Sequence, residues 1–294
     1  MKGSNKMRKE ISISLLALGL VACGGGSSSS NDDTSKNNDS SEISISSYSS
    51  AEATDASPVG TWIAVLSGTR FTDDIKDSTY QTREIFTIEE QGDNYIINSC
   101  GVYQPSSSIS KADFLTAQSE DITYQYYASA YTQTFTSNKS FTGSGEYIEQ
   151  VVGLTDEVDT AGTVVKWIES ASAIKVSDTT NIQENISISS QNVDLQQDKI
   201  EINCLRLKES SAGFSTLEIN SVDNIEIILE NDTSTKDHLV YFSNTNLSFE
   251  DSAEDTGVDI SHELTNNTVN NYAITTVYSG PSQSGTFNIS VDFK

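Results

Sequence analysis

The chain has 294 residues, 42 acidic against 17 basic, for a formal charge of −25, and only 35% of it is hydrophobic. That charge argues against a nucleic-acid partner, whose phosphates are neutralised by clustered Lys and Arg, and against adsorption to an anionic membrane face. Three Cys and two His leave little material for zinc clusters or His-based catalysis.

The amino terminus carries Lys2, Lys6, Arg8 and Lys9 against the single acid Glu10, followed by the apolar run Ile11–Leu20. A helix of ten residues spans about 15 Å, half a bilayer core, so the run is too short to cross a membrane and fits the apolar part of a secretory signal peptide. The run ends at Leu20-Val21-Ala22-Cys23, followed by Gly24-Gly25-Gly26. These residues resemble the lipobox of bacterial prolipoproteins. The resemblance implies that residues 1–22 are removed by cleavage between Ala22 and Cys23, and that Cys23 receives a diacylglyceryl thioether and an acylated amine. Two or more acyl chains make membrane attachment stable, at about 0.8 kcal/mol per buried methylene. Gly24, rather than an acid, after the lipobox resembles the default export of Gram-negative lipoproteins to the outer membrane, with the body facing the periplasm or the surface. Cleavage takes away four basic residues and one acid, which leaves 13 basic against 41 acidic side chains.

Residues 23–57 then read as a lipidated Cys and a linker. Thirteen of the 34 residues from Gly24 to Ser57 are Ser, and Ile43, Ile45 and Tyr48 are the sizeable apolar ones. That is too little apolar surface to offset the ordering entropy of the backbone, and a coil of this length spans about 30–35 Å. Ile43–Ser46 alternates, and docking as an edge strand is the other reading.

Beyond Pro58 the texture changes to short runs of Ile, Val, Tyr, Phe and Thr that alternate with polar residues and are bounded by Gly, Asn, Asp and Ser. The spacing predicts strands over Thr61–Leu66, Arg83–Glu90, Asn94–Ser99, Ile122–Tyr131, Phe141–Val151, Val164–Glu169, Lys199–Leu207, Ser215–Asn220, Ile225–Glu230, Leu239–Phe242, Tyr272–Tyr278 and Thr286–Phe293. Gln91-Gly92-Asp93 reads as a hairpin loop. A short helix is expected at Ser110–Gln118. The expected class is all-β, an antiparallel barrel or sandwich over 58–294, either undivided or split into 58–208 and 209–294. With Cys23 lipidated, Cys100 and Cys204 remain as an even pair in an oxidising compartment and are expected to form a disulfide.

Several residues bear on chemistry. Gly60-Thr61-Trp62 resembles the G-x-W of lipocalins, which implies an eight-stranded barrel plugged by the Trp, a late-strand Arg covering it (Arg206 is the last arginine) and a small lipophilic ligand. The plain reading of Trp62 is a core anchor. Tyr124, Tyr126, Tyr127 and Tyr131 could stack sugars or peptides, but on one strand they divide between two faces. The acidic runs Asp156–Gly162 and Glu250–Asp259 read as solvated loops, with adventitious Ca²⁺ as the other reading; a protein partner is also open. From Asp251, however, the third position is Ala253 and Gly257 is seventh, which fails the EF-hand pattern. Gly143-Ser144-Gly145 is not a nucleophile elbow, and His238 and His262 form no local triad. No catalytic residue, metal ligand or cofactor is assigned. The expectation is a non-enzymatic binding or structural module, with Trp62, Tyr124 and Tyr126 as candidate ligand contacts. A lipocalin-like carrier and a periplasmic hydrolase are the alternatives.

Overall fold

The computed structural model describes residues 43–100, 106–124, 127–151, 162–191, 202–211, 215–221, 226–231, 240–242, 259–279 and 284–294. Cys23, Ala22, Tyr126, His238, residues 250–258 of one acidic run and most of the other lie outside the described residues. Among the described residues there is no α-helix, only two 3₁₀ turns at Ile45–Ser47 and Ile182–Glu184.

The all-β expectation holds. The strands are β1 (Gly60–Thr72), β2 (Ile75–Gln91), β3 (Asn94–Asn98), β4 (Ser106–Ser110), β5 (Gln118–Tyr124), β6 (Tyr127–Ser137), β7 (Ser140–Val151) and β8 (Thr163–Ser177). They continue as β9 (Ile186–Gln191), β10 (Ile202–Ser210), β11 (Ser215–Ser221), β12 (Glu226–Asn231), β13 (Val240–Phe242), β14 (Asp259–Asn267), β15 (Asn271–Ser279) and β16 (Ser284–Phe293). Sheet A runs β13-β12-β11-β10-β2-β1-β8-β7-β6-β5, with β3 added to β2 and β4 to β3; sheet B runs β14-β15-β16-β9. Sheet A is a curled antiparallel half-barrel, not the eight-stranded closed barrel that the G-x-W resemblance implies. β10 itself runs across the 208/209 position, and β9 pairs with β16. The sheets therefore do not divide the chain into 58–208 and 209–294.

The tight hairpins are set by turn chemistry. Gln91 pairs with Asn94 across Gly92, which has φ 60°, a conformation Gly adopts freely. Thr72 pairs with Ile75 across Asp73 and Asp74 at φ 48° and 63°. Two left-handed residues match the right-handed twist of the flanking strands, and Asp tolerates them. Two expectations are corrected. The run Ile122–Tyr131 is two strands, β5 and β6, with Tyr124 opposite Tyr127. Ser110–Gln118 is not a helix but a turn, in which the amide of Asp113 bonds to the carbonyl of Ser110 and that of Thr116 to Asp113. The Asp113 carboxylate accepts from the Ser110 hydroxyl at 2.6 Å, a local bond that competes with helix.

The curl of sheet A encloses Trp62, Phe86, Ile88, Ile97, Ile109, Phe114, Phe135, Phe141 and Ala173. Trp62 stacks on Phe86 and meets Phe135 edge-on, while Phe114 from the turn after β4 stacks on Phe135 at 4.1 Å. Trp62 is fully buried, and its indole N–H donates to the Pro58 carbonyl at 2.8 Å; it is the core anchor of the plain reading. The opposite face of β1, β2 and β10 is buried too, through Ile63, Ile85, Leu205 and Leu207. That is why residues 60–66 are buried without alternation. Arg83 also projects on that face. Its guanidinium donates to Thr268 O at 2.8 Å and Asn267 Oδ1 at 2.5 Å, and stands over the rings of Tyr272 and Phe293. This joins sheet B to sheet A.

The expected linker boundary moves. Residues 43–57 lie on the body: Ile43 and Ala53 are buried, and Ile43 exchanges two hydrogen bonds with the Gln81 side chain. Lys139 Nζ donates to the carbonyls of Ser50 and Ala53, and Lys175 Nζ to those of Thr54 and Ser57. Body lysines thus supply the contacts that the segment's few apolar residues cannot.

The disulfide joins Cys100 and Cys204, with Cα atoms 5.5 Å apart. β3 and β10 use the same edge of β2, Asn98 opposite Thr87 and Leu205 opposite Ile85. The bridge closes the gap where these two strands meet end to end. Beneath it Glu84, 1% exposed, accepts from the Cys100 amide at 2.8 Å and from Arg206 Nε at 3.1 Å. Arg206, expected over Trp62 by the lipocalin resemblance, is engaged here by Glu84.

Candidate concave-face site

The aromatic core fills one end of the concave face; the other end is polar. Strand register aligns Tyr80 (β2), Gly68 (β1), Glu169 (β8), Gly145 (β7) and Tyr131 (β6) as one row. Directly paired residues share a face, so the two tyrosines flank the carboxylate across the two glycines. A Cβ on Gly68 would stand 2.2 Å from the Tyr80 ring, and one on Gly145 would stand 2.0 Å from the Tyr131 ring. The tyrosines therefore lie down over glycine positions, and both hydroxyls donate to Glu169, Tyr80 to Oε1 and Tyr131 to Oε2.

Burial sets the electrostatics. Glu169 is 8% exposed, and desolvation raises its pKa against the opposing effect of the two hydroxyls and the Lys208 charge. Burial, then the Glu169 charge, pushes both Tyr80 and Tyr131 well above the ordinary phenol value. Lys208 also stands 4.9 Å over the Tyr80 ring. The tyrosines stay protonated donors, and the carboxyl is the group that titrates.

Beside this row lies a recess of about 280 Å³, counting the part continuous with solvent, lined by Leu66, Tyr131, Gln133, Phe141, Glu169 and Ala171 over a floor of Gly143, Ser144 and Gly145. Gln133 Oε1 is buried at its wall without a hydrogen-bond partner. One rung further out, Tyr147 packs edge-on to Trp167 at 4.7 Å and to Tyr127 at 4.8 Å, and Arg70 stands over Trp167. The site is a carboxylate, an orphan amide oxygen and a wall of rings on a rigid sheet.

The residues singled out from the sequence are spread through the molecule. Trp62 sits in the core. Tyr124 pairs with Tyr127 at the β5–β6 end. Tyr127 and Tyr131 share the concave face, as the single-strand reading also had them. Gly143-Ser144-Gly145 forms the floor of the recess rather than an elbow. His262 lies in β14 of sheet B, opposite Thr276. Among the described residues no group of three His, Cys, Asp or Glu could hold a metal ion, and no helix is long and apolar enough to cross a membrane. Sequence reading missed Tyr80, Gln133, Trp167 and Glu169. The available signal was the pair of glycines inside β7, since Gly within a strand marks a close approach.

No protein-family model matches the chain, and neither a curated protein nor a solved structure matches it.

Proposed function

We propose that the protein is an exported, lipid-anchored, non-enzymatic binding module, held at the outer membrane through Cys23, whose half-barrel takes a small ligand on its concave face. The observation that carries the binding reading is the recess beside Glu169, where Gln133 offers an unpaired acceptor among a carboxylate and the rings of Tyr131 and Phe141. Ligand sites combine apolar walls with a few convergent polar groups in this way. Binding is favoured over proton transfer because the two tyrosines that donate to Glu169 hold their protons. The lipobox residues Leu20-Val21-Ala22-Cys23 support the anchor.

The binding reading is tested by a thermal-shift panel of saccharides, amino acids and amines, run on the wild type and on Ala171→Phe, which fills the recess. Compounds that raise Tm for the wild type alone support it; a panel with no such compound overturns it. The anchor is tested separately. Cys23→Ala should leave the membrane fraction on alkaline washing, and retention there would remove the anchor.

A further inference from the structure

We infer that the recess is built for a ligand group carrying a protonated primary amine, seated between the Glu169 carboxylate and Gln133 Oε1. The inference rests on the concave-face binding reading and names the chemistry that reading leaves open.

The buried orphan atom at the recess is an acceptor, and the charged group beside it is an acceptor too. Gln133 Oε1 is buried and unpartnered, and a buried acceptor left unmade is costly, so its retention calls for a donor from outside. Glu169 accepts one tyrosine hydroxyl on each oxygen, but a carboxylate offers about four acceptor sites, so each oxygen keeps one for a ligand. An ammonium presents three donors and no acceptor, which matches Gln133 Oε1 and the Glu169 carboxylate; a carboxylate or phosphate ligand would be repelled by Glu169. The rings of Tyr131 and Phe141 in the wall add attraction for a cation, because an aromatic face is electronegative. The net charge of −25 favours approach of a cation and repels an anion.

Burial of Glu169 supports the same conclusion. The carboxylate is desolvated at a cost, and Lys208 relieves it from the far side, over the Tyr80 ring. A second cation on the recess side restores what burial removed. The recess is open to solvent on one side, so it takes the ammonium end of a ligand while the rest of the ligand stays outside. An amino sugar and a lysine side chain present the same ammonium.

Calorimetric titration of the purified full chain separates these sources, with D-glucosamine against D-glucose and Nα-acetyl-lysine amide against Nα-acetyl-norleucine amide. At least one amine should bind ten-fold or more tightly than its neutral counterpart, and whichever pair shows the preference identifies the source. Glu169→Gln should erase that preference. Gln133→Met should weaken amine binding while raising Tm, because it removes an orphan acceptor; that rise shows the loss is not unfolding. If neutral and amine probes bind equally, with perturbation of concave-face residues, the ammonium inference falls and the binding face stands. If no probe binds, the inference also falls, while the binding face is then decided by the wider panel and Ala171→Phe.

Discussion

Tyr131 on β6 covers Gly145 on β7 so closely that no side chain fits beneath its ring, and this places its hydroxyl on Glu169 of β8, one strand further on. Three neighbouring strands thus fix one carboxylate, and Tyr80 over Gly68 repeats the arrangement from the other side. The concave face owes its polar site to two missing Cβ atoms.

Gly145→Ala should therefore destabilise the protein by about 1–3 kcal/mol, the usual range for overpacking. The added methyl meets the ring edge at Cδ1 and Cε1, so the whole ring must leave its place for the methyl to fit. Urea unfolding measures the loss; an unchanged midpoint would mean that the ring does not cover the glycine.

Cys100→Ser should cost up to about 4–5 kcal/mol, the chain-entropy value for a loop of about a hundred residues, here with a separation of 104. Wild type in excess dithiothreitol should melt with the variant. A variant that melts with the oxidised wild type would show that the bridge contributes nothing to stability.

The Glu84–Arg206 pair is buried on both sides, 1% and 8% exposed. Removing one partner leaves a buried charge, so Glu84→Gln or Arg206→Met alone should cost about 3–5 kcal/mol. The double variant should cost clearly less than the two singles combined. Strict additivity in the double-mutant cycle would deny the coupling.

Two carboxyls should give opposite pH dependences. Lys175 beside Asp178, together with the Thr54 amide, holds that carboxyl at about 2 against an ordinary 3.8. Its stabilisation is present above pH 3.8 and is lost as pH falls toward about 2. Asp178→Asn should thus lower Tm at pH 6 and converge with wild type near pH 2. A constant Tm gap across that range would contradict the assignment.

Glu169, faced by Tyr80, Tyr131 and Lys208, is raised above 4.5, so its ionisation opposes folding. Stability present below pH 4.5 is lost as pH rises through the folded-state value. Glu169→Gln should flatten this slope and gain stability at pH 7 relative to pH 4 when compared with wild type. Parallel pH profiles would show that the carboxyl is not held in a desolvated state.

Local chemistry was legible where short-range rules act alone. Alternation in Lys199–Leu207 and Phe141–Val151 located strands, and Gly92 located a hairpin. The cysteine count pointed to the pairing of Cys100 with Cys204. Alternation failed where one β-prone run is two paired strands, with Tyr124 opposite Tyr127, and at β4, where four of the five residues are Ser. The docking of residues 43–57 was obscured because its anchors, Lys139, Lys175 and Gln81, are distant in sequence and polar.

By itself, then, the sequence determined the strand-rich class and the pair of bridging cysteines. Each depends on residues close together in the chain or on a simple count. Tertiary structure alone decided that Tyr80, Glu169, Tyr131 and Gln133 share one concave face. Strand register across β2, β1, β8, β7 and β6 brings together residues up to 89 positions apart, and register is set by which side chains the curled sheet must bury, not by any local pattern.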